Sequence, residues 1–209
     1  MAPPAKTPSR RGRRQGEPVS REVVLNAAKE RFARDGYERT TLRGIARDAN
    51  VDPSMVLYLF GSKADLFRES LRLILDPALL TSALNSDEGT VGDRLVKRYL
   101  TIWESPETGP TMAAMLASAT SNPDANEAFR TFIREYVLTA VAGVIGGDER
   151  ARLRAMLAAT SLVGAALMRY VIQVPPLATL PAEDVARLLA PTVTRCLTAD
   201  ADELGLPDP

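Results

Sequence analysis

The sequence predicts an all-α fold, with a small three-helix unit at the N-terminus and a larger helical unit behind it. Three observations carry this reading. Apolar residues recur at helical spacing along most of the 209 residues. No alternating apolar–polar run of strand length recurs, and no internal repeat is found. The periodic stretches are separated by helix stop signals such as Gly146-Gly147, Asn122-Pro123 and Pro175-Pro176. A hydrophobic content of 45% is enough for a packed core.

Residues 1–18 have no apolar periodicity, and Lys6, Arg10, Arg11, Arg13 and Arg14 all precede the first acid, Glu17. Such a segment buries too little surface to order itself and reads as a flexible basic arm. The first helix is predicted to start at Ser20, a good N-cap, with Glu22 well placed against the helix dipole. Val24, Ala27, Ala28 and Phe32 define its buried face. Gly36 ends it as a left-handed cap, and Tyr37 turns back to the core. Thr41 caps a short second helix with Leu42, Ile45, Ala46 and Ala49 inward, and Asn50 is a tolerable left-handed residue at its end. Asp52-Pro53 reads as an N-cap followed by Pro at the first helical position of a third helix, which Gly61 stops. Ser62 and Asp65 form a capping box for a fourth helix with Leu66, Phe67, Leu71, Ile74 and Leu75 inward. Pro77 should break it, and Asp76 suits a restart. Further helices are predicted over Val91–Glu104, Thr111–Thr120, Ala125–Ile145, Glu149–Val174 and Ala182–Leu197.

Composition excludes several functions. There is no histidine, which removes His-based nucleophile systems, His metal ligands and His proton shuttles. The single cysteine, Cys196, excludes an internal disulfide and a thiolate zinc cluster, and reads as a buried small hydrophobe. No cofactor is expected, and an enzyme of this build lacks its base, nucleophile or metal site. The N-terminal charges are not followed by an apolar stretch, so no signal peptide is expected. The longest strongly apolar run, Ala155 to Met168, is shorter than the roughly 20 residues a bilayer requires. A soluble, cytoplasmic protein without a membrane partner is the expectation.

The formal net charge is zero, but it is unevenly spread. Through Lys63 there are 13 Lys and Arg against 7 Asp and Glu; beyond it, 13 against 19. A basic head on an acidic body implies that the head meets a polyanion. Residues 41–60 hold two short helices joined by Asn50-Val51-Asp52, the pattern of a helix-turn-helix whose second helix enters the DNA major groove. Thr41 and Lys63 stand at helix starts, where N–H groups and a side chain can meet phosphates.

The stretch Thr40-Thr41-Leu42-Arg43-Gly44-Ile45-Ala46, together with Phe60-Gly61-Ser62-Lys63-Ala64-Asp65-Leu66-Phe67, resembles the DNA-binding region of the TetR family of regulators. The resemblance covers residues 20–67. Val174-Pro175-Pro176-Leu177 and a last helix with Leu188, Pro191, Val193 and Leu197 resemble actinobacterial members. The resemblance implies a homodimer on a palindromic double-stranded operator, with a flexible arm over 1–18, a DNA-binding domain over 19–66 and a C-terminal ligand-binding and dimerisation domain over 67–209. It implies phosphate contacts from Thr41 and Lys63, a base or phosphate contact from Arg43, and base contacts from Pro53, Ser54 and Met55. Tyr58 would touch the DNA backbone or pack inward, and packing inward is the favoured expectation. Many members carry tyrosine where Leu57 stands and histidine where Leu59 stands. These leucines remove hydrogen-bond donors, so readout is expected from Ser54 and from apolar contact of Met55 or Leu57 with thymine methyls. The arm is either a solvated tail or a minor-groove contact.

In the second unit, Tyr99, Trp103, Met112, Met115, Leu116, Phe129, Phe132, Tyr136, Met156 and Met168 supply aromatic and adaptable apolar surface. As a set they suggest a pocket for a small hydrophobic ligand, although each alone reads as core. Tyr99, Glu104 and Tyr136 are the polar groups available to orient such a ligand. Small residues at Ala155, Ala158, Ala159, Gly164 and Ala165 suit close helix packing. With the last helix they would form a four-helix dimer seam, as the resemblance implies, or else a helix contact within one chain. The usual behaviour of the family implies repression relieved by ligand. A DNA-binding protein without a small ligand stays open at this point.

Overall fold

The computed structural model describes residues 21–85 and 89–207, and is all-helical with no strand among them. The head comprises α1 (Arg21–Arg39), α2 (Leu42–Asp48) and α3 (Pro53–Phe60). α4 (Lys63–Ile74) leads into the body. The body holds α5 (Pro77–Leu84), α6 (Val91–Glu104), α7 (Gly109–Ser121), α8 (Pro123–Phe132), α9 (Thr139–Ile145), α10 (Glu149–Ala166), α11 (Ala182–Thr198) and the short α12 (Ala201–Leu204). The arm over 1–18 and the cap at Ser20 lie outside the described residues.

Local signals act as their chemistry predicts. Gly36 takes φ 70°, which breaks α1 and turns buried Tyr37 back into the core. Thr41 Oγ1 accepts from Gly44 N at 3.0 Å and caps α2. Asp52 Oδ1 accepts from Ser54 N at 2.8 Å, and Pro53 opens α3. At α4 the expected box is half formed. Ser62 Oγ accepts from Asp65 N, but the Asp65 carboxylate accepts from the Ser62 hydroxyl rather than from its backbone N–H, which is turned to Phe60 O. α4 stops at Ile74, and Asp76 caps the restart at Pro77.

Two expected long helices are irregular. Ala125–Ile145 is α8, a π-helical turn over Ile133–Leu138, and α9. α10 likewise ends in a π-helical turn over Leu167–Val171. Together α10 and this turn form a 23-residue helix, Glu149–Val171, which by length and composition alone is long and apolar enough to cross a membrane. The apolar run from Ala155 to Met168 is only part of this helix, and one flank packs on α11 inside the body.

The aromatic contacts explain how head joins body. Phe32 and Tyr37 of α1 each meet Phe67 of α4 edge-on, at 5.0 and 5.2 Å between ring centres. α1 lies along α7, and α4 along α8. In the body, α6 and α11 pack most closely, because Gly92 presents no side chain to α11. A Cβ there would stand 2.1 Å from the Ala190 carbonyl oxygen. Gly92 N donates to Thr194 Oγ1 at 3.0 Å across the same contact.

Candidate nucleic-acid interface

The outward face of α3 is unusually apolar. Val56 and Phe60 are buried and fasten the helix to the head. Pro53 and Ser54 face solvent, with Met55 37% exposed and Leu57 51% exposed. Tyr58 is 84% exposed, which overturns the expectation that it packs inward. Its neighbours explain the outcome. Val56, Leu59 and Phe60 occupy the inward positions of a two-turn helix, so Tyr58 falls on the opposite side.

α2 supplies charge beside this apolar face. Arg43 and Arg47 stand one turn apart, both exposed. Arg47 was not singled out in the sequence, although its i+4 spacing from Arg43 is a readable signal. Thr41 is exposed; its oxygen caps α2 and its O–H proton is left to donate outward. Behind α2, Arg31 is 9% exposed and grips Asp48 with Nε at 2.7 Å and Nη2 at 3.1 Å. Its guanidinium lies against Gly44, where a Cβ would meet Nη1 at 2.5 Å. Hydrogen bonding to Arg31 holds the Asp48 carboxyl below its ordinary value. This ion pair fixes α2 on α1 and thereby aims α3.

Lys63 is half-buried at the head–body junction. Its ammonium donates to Glu38 O at 3.3 Å and lies 4.2 Å from the centre of the Tyr37 ring. Burial lowers its pKa, while Glu38 and Asp124 act in the opposite sense. Burial also pushes the Tyr37 phenol up to about 12.

In the body, Tyr99, Trp103, Met112, Met115, Leu116 and Phe132 are buried in the core, with Phe129 and Tyr136 packed against it. Met168 is not brought to them; it is 44% exposed. So is Met156, at 42%. Burial raises the pKa of the Tyr99 phenol. Glu104 is committed elsewhere. Its Oε1 accepts from Tyr170 OH at 2.6 Å and from Arg169 Nη2 at 2.9 Å, and these two partners hold its carboxyl low. Arg169 also donates to the carbonyls of Leu177 and Leu180, both at 2.7 Å, pinning the loop before α11. Trp103 stacks on Tyr170 at 5.0 Å, and its buried Nε1, near the Tyr99 hydroxyl, meets no partner at full hydrogen-bond geometry among the described residues. The Arg169 cluster was missed in the sequence; its signal was a single arginine at the end of a long apolar helix. A groove of about 1580 Å³ runs between α6 and α11. It is lined by Asp93, Lys97, Glu104 and Arg187 among others, and by none of the nine residues assigned to ligand from the sequence. Cys196 is half-buried rather than fully enclosed.

A short helix held proud of a three-helix head, charged side chains beside it, and an all-helical body define a helix-turn-helix regulator. The family described as bacterial regulatory proteins of the tetR family matches residues 24–70, and the tetracyclin repressor-like C-terminal domain matches residues 89–197. A TetR-family regulator of Streptomyces coelicolor A3 is 34% identical, with 89% of this chain and 98% of that chain covered and a TM-score of 0.60. NalD, the secondary repressor of the MexAB-OprM multidrug efflux pump in Pseudomonas aeruginosa, shares the fold at 22% identity and a TM-score of 0.57, over 86% of this chain and 95% of its own. The HTH-type transcriptional regulator HbdR of Aromatoleum sp. (strain CIB) is 36% identical over 56 residues, 27% of this chain. The match spans about a quarter of that curated relative's length. The chain belongs to the TetR family of transcriptional regulators; it is a DNA-binding regulator and not an enzyme.

Proposed function

We propose that this regulator is a cytoplasmic homodimeric repressor that sits on a palindromic operator and is released by a small hydrophobic ligand. One observation carries the DNA side: Met55, Leu57 and Tyr58 lie in solvent on a helix that Val56 and Phe60 anchor rigidly. A protein rarely leaves such a cluster uncovered without a partner for it. Pro53, Ser54, Met55 and Leu57 meet base edges, Met55 and Leu57 through thymine methyls. Thr41, Lys63 and Tyr58 meet the phosphate backbone, and Arg43 a base or phosphate. The segment 1–18 acts as a basic arm, 19–66 as the DNA-binding domain and 67–209 as the effector and dimer domain.

The ligand is seated between α6, α7 and α8, among Tyr99, Trp103, Met112, Met115, Leu116, Phe129, Phe132 and Tyr136. Buried Tyr99 and Trp103, neighbours whose polar atoms interact, support this reading, since a ligand oxygen could take the Trp103 Nε1 proton. Methionines can move aside to admit it. The dimer seam lies on α10 and α11, where Met156, Leu157, Met168 and Leu188 stay exposed in the single chain. Ligand binding shifts α4 and spreads the heads; a coupling of about 1–3 kcal/mol is typical of such responses.

The test is selection of bound duplexes from a random pool by the purified protein, followed by thermal shift against a compound library. The expected result is a palindrome with thymine-rich half-sites, and a compound that raises the melting temperature and releases the duplex. Recovery of unrelated sequences without symmetry would sink the dimeric-operator reading. A library with no stabilising compound would count against the ligand.

A further inference from the structure

Besides the packing of α1 on α7 and of α4 on α8, head and body meet through a small polar latch. The Tyr37 N–H donates to Ser118 Oγ at 3.1 Å, and that hydroxyl donates on to Ala114 O at 2.8 Å. Asn122, at the α7–α8 corner, does two jobs with one side chain. Its Oδ1 caps α8 by accepting from Asp124 N at 3.0 Å and Ala125 N at 3.1 Å, and its Nδ2 donates to the Glu38 carboxylate. The backbone carbonyl of the same Glu38 takes the Lys63 ammonium. Thr40 Oγ1 donates to Gly36 O at 2.7 Å and closes the turn that the latch holds. One residue later Thr41 caps α2. Both side chains assigned to phosphates, Thr41 and Lys63, are therefore seated on residues 36–40, and these are held from the body at Ser118 and Asn122.

We propose that the Asn122–Glu38 bond is a positioning device that fixes the angle of the head on the body, and so the distance between the two recognition helices of the dimer. This deepens the operator reading and rests on it. The pair lies near the surface, Glu38 exposed and Asn122 half-buried, where one such bond adds little to folding stability. Its effect is directional. Gly36 breaks α1, buried Tyr37 anchors the segment beyond it, and the latch sets the direction in which Glu38 leaves that anchor. The bond also joins α8, which packs on α4, to the end of α1. A shift of the body helices is thus delivered to the head at two points that cannot move independently.

The experiment uses the full-length homodimer and the selected palindrome, resynthesised with half-sites one base pair closer and one base pair further apart. Wild type should prefer one spacing by about tenfold. Asn122→Asp keeps the α8 cap, since Asp caps as well as Asn, but sets a carboxylate against that of Glu38. It should lower affinity at the preferred spacing by about tenfold and flatten the profile to within about threefold across spacings. Adding Glu38→Gln restores a donor to the bond with its direction reversed, and should return the wild-type profile. A role in stability alone would lower affinity equally at every spacing and leave the preference intact, which would overturn the proposal. So would a double variant as flat as Asn122→Asp, or a wild type indifferent to spacing. A wild type that selects no palindrome would remove the operator reading first, and the latch with it.

Discussion

Tyr58 and Lys63, both assigned to the phosphate backbone in the proposed function, stand five residues apart under opposite constraints. Tyr58 is 84% exposed and touches little of its own protein. Tyr58→Ala should leave the urea midpoint within about 0.5 kcal/mol of wild type, as surface substitutions do, yet weaken operator binding several-fold. A core tyrosine would instead cost several kcal/mol on truncation, so unfolding and binding measured on one variant separate the two cases. Lys63 is half-buried over Tyr37 and bonded to Glu38 O. Lys63→Ala should weaken binding to every duplex alike and reduce the slope of log K against log salt by about one. An unchanged slope would remove it from the phosphate contacts.

At the scale of elements, two joints deserve measurement. The α6–α11 contact depends on Gly92, because a Cβ there meets backbone atoms of α11 that cannot step aside. Gly92→Ala should destabilise the chain by about 1–3 kcal/mol or more through overpacking, read from the denaturant midpoint. A neutral result would mean that the helices can separate freely. The second joint is Glu104 with Tyr170 and Arg169, which ties α6 to the end of α10 and to the loop before α11. The Glu104 carboxyl is held below its ordinary 4.5 by these partners. A carboxyl depressed in the folded state binds protons more readily when unfolded. Its contribution is therefore complete above 4.5 and is lost as pH falls through the folded value. Between pH 7 and 3, Glu104→Gln should show a shallower fall in stability than wild type. Parallel curves would remove this carboxyl from the acid response.

For the whole molecule, the proposed operator binding depends on two heads held at one separation. The exposed apolar residues Met156, Leu157, Met168 and Leu188 lie on α10, its π-helical end and α11. Leu188 is 62% exposed in the single chain. Leu188→Arg should yield monomers by light scattering and reduce palindrome binding to that of a half-site. A variant that stays dimeric would move the seam elsewhere.

The amino-acid sequence alone determined the helical class and most helix starts, because capping, proline and glycine effects act within a few residues. Val91–Glu104 was legible to the residue, as were the caps at Thr41, Asp52 and Ser62. Only the tertiary structure decided that Tyr58 faces outward, that Glu104 is taken up by Arg169, that Met168 leaves the core, and that Asn122 reaches Glu38 across 84 positions. Those outcomes depend on which helix faces which. Side chains far apart along the chain meet only after the helices have packed, and no local periodicity records such a meeting.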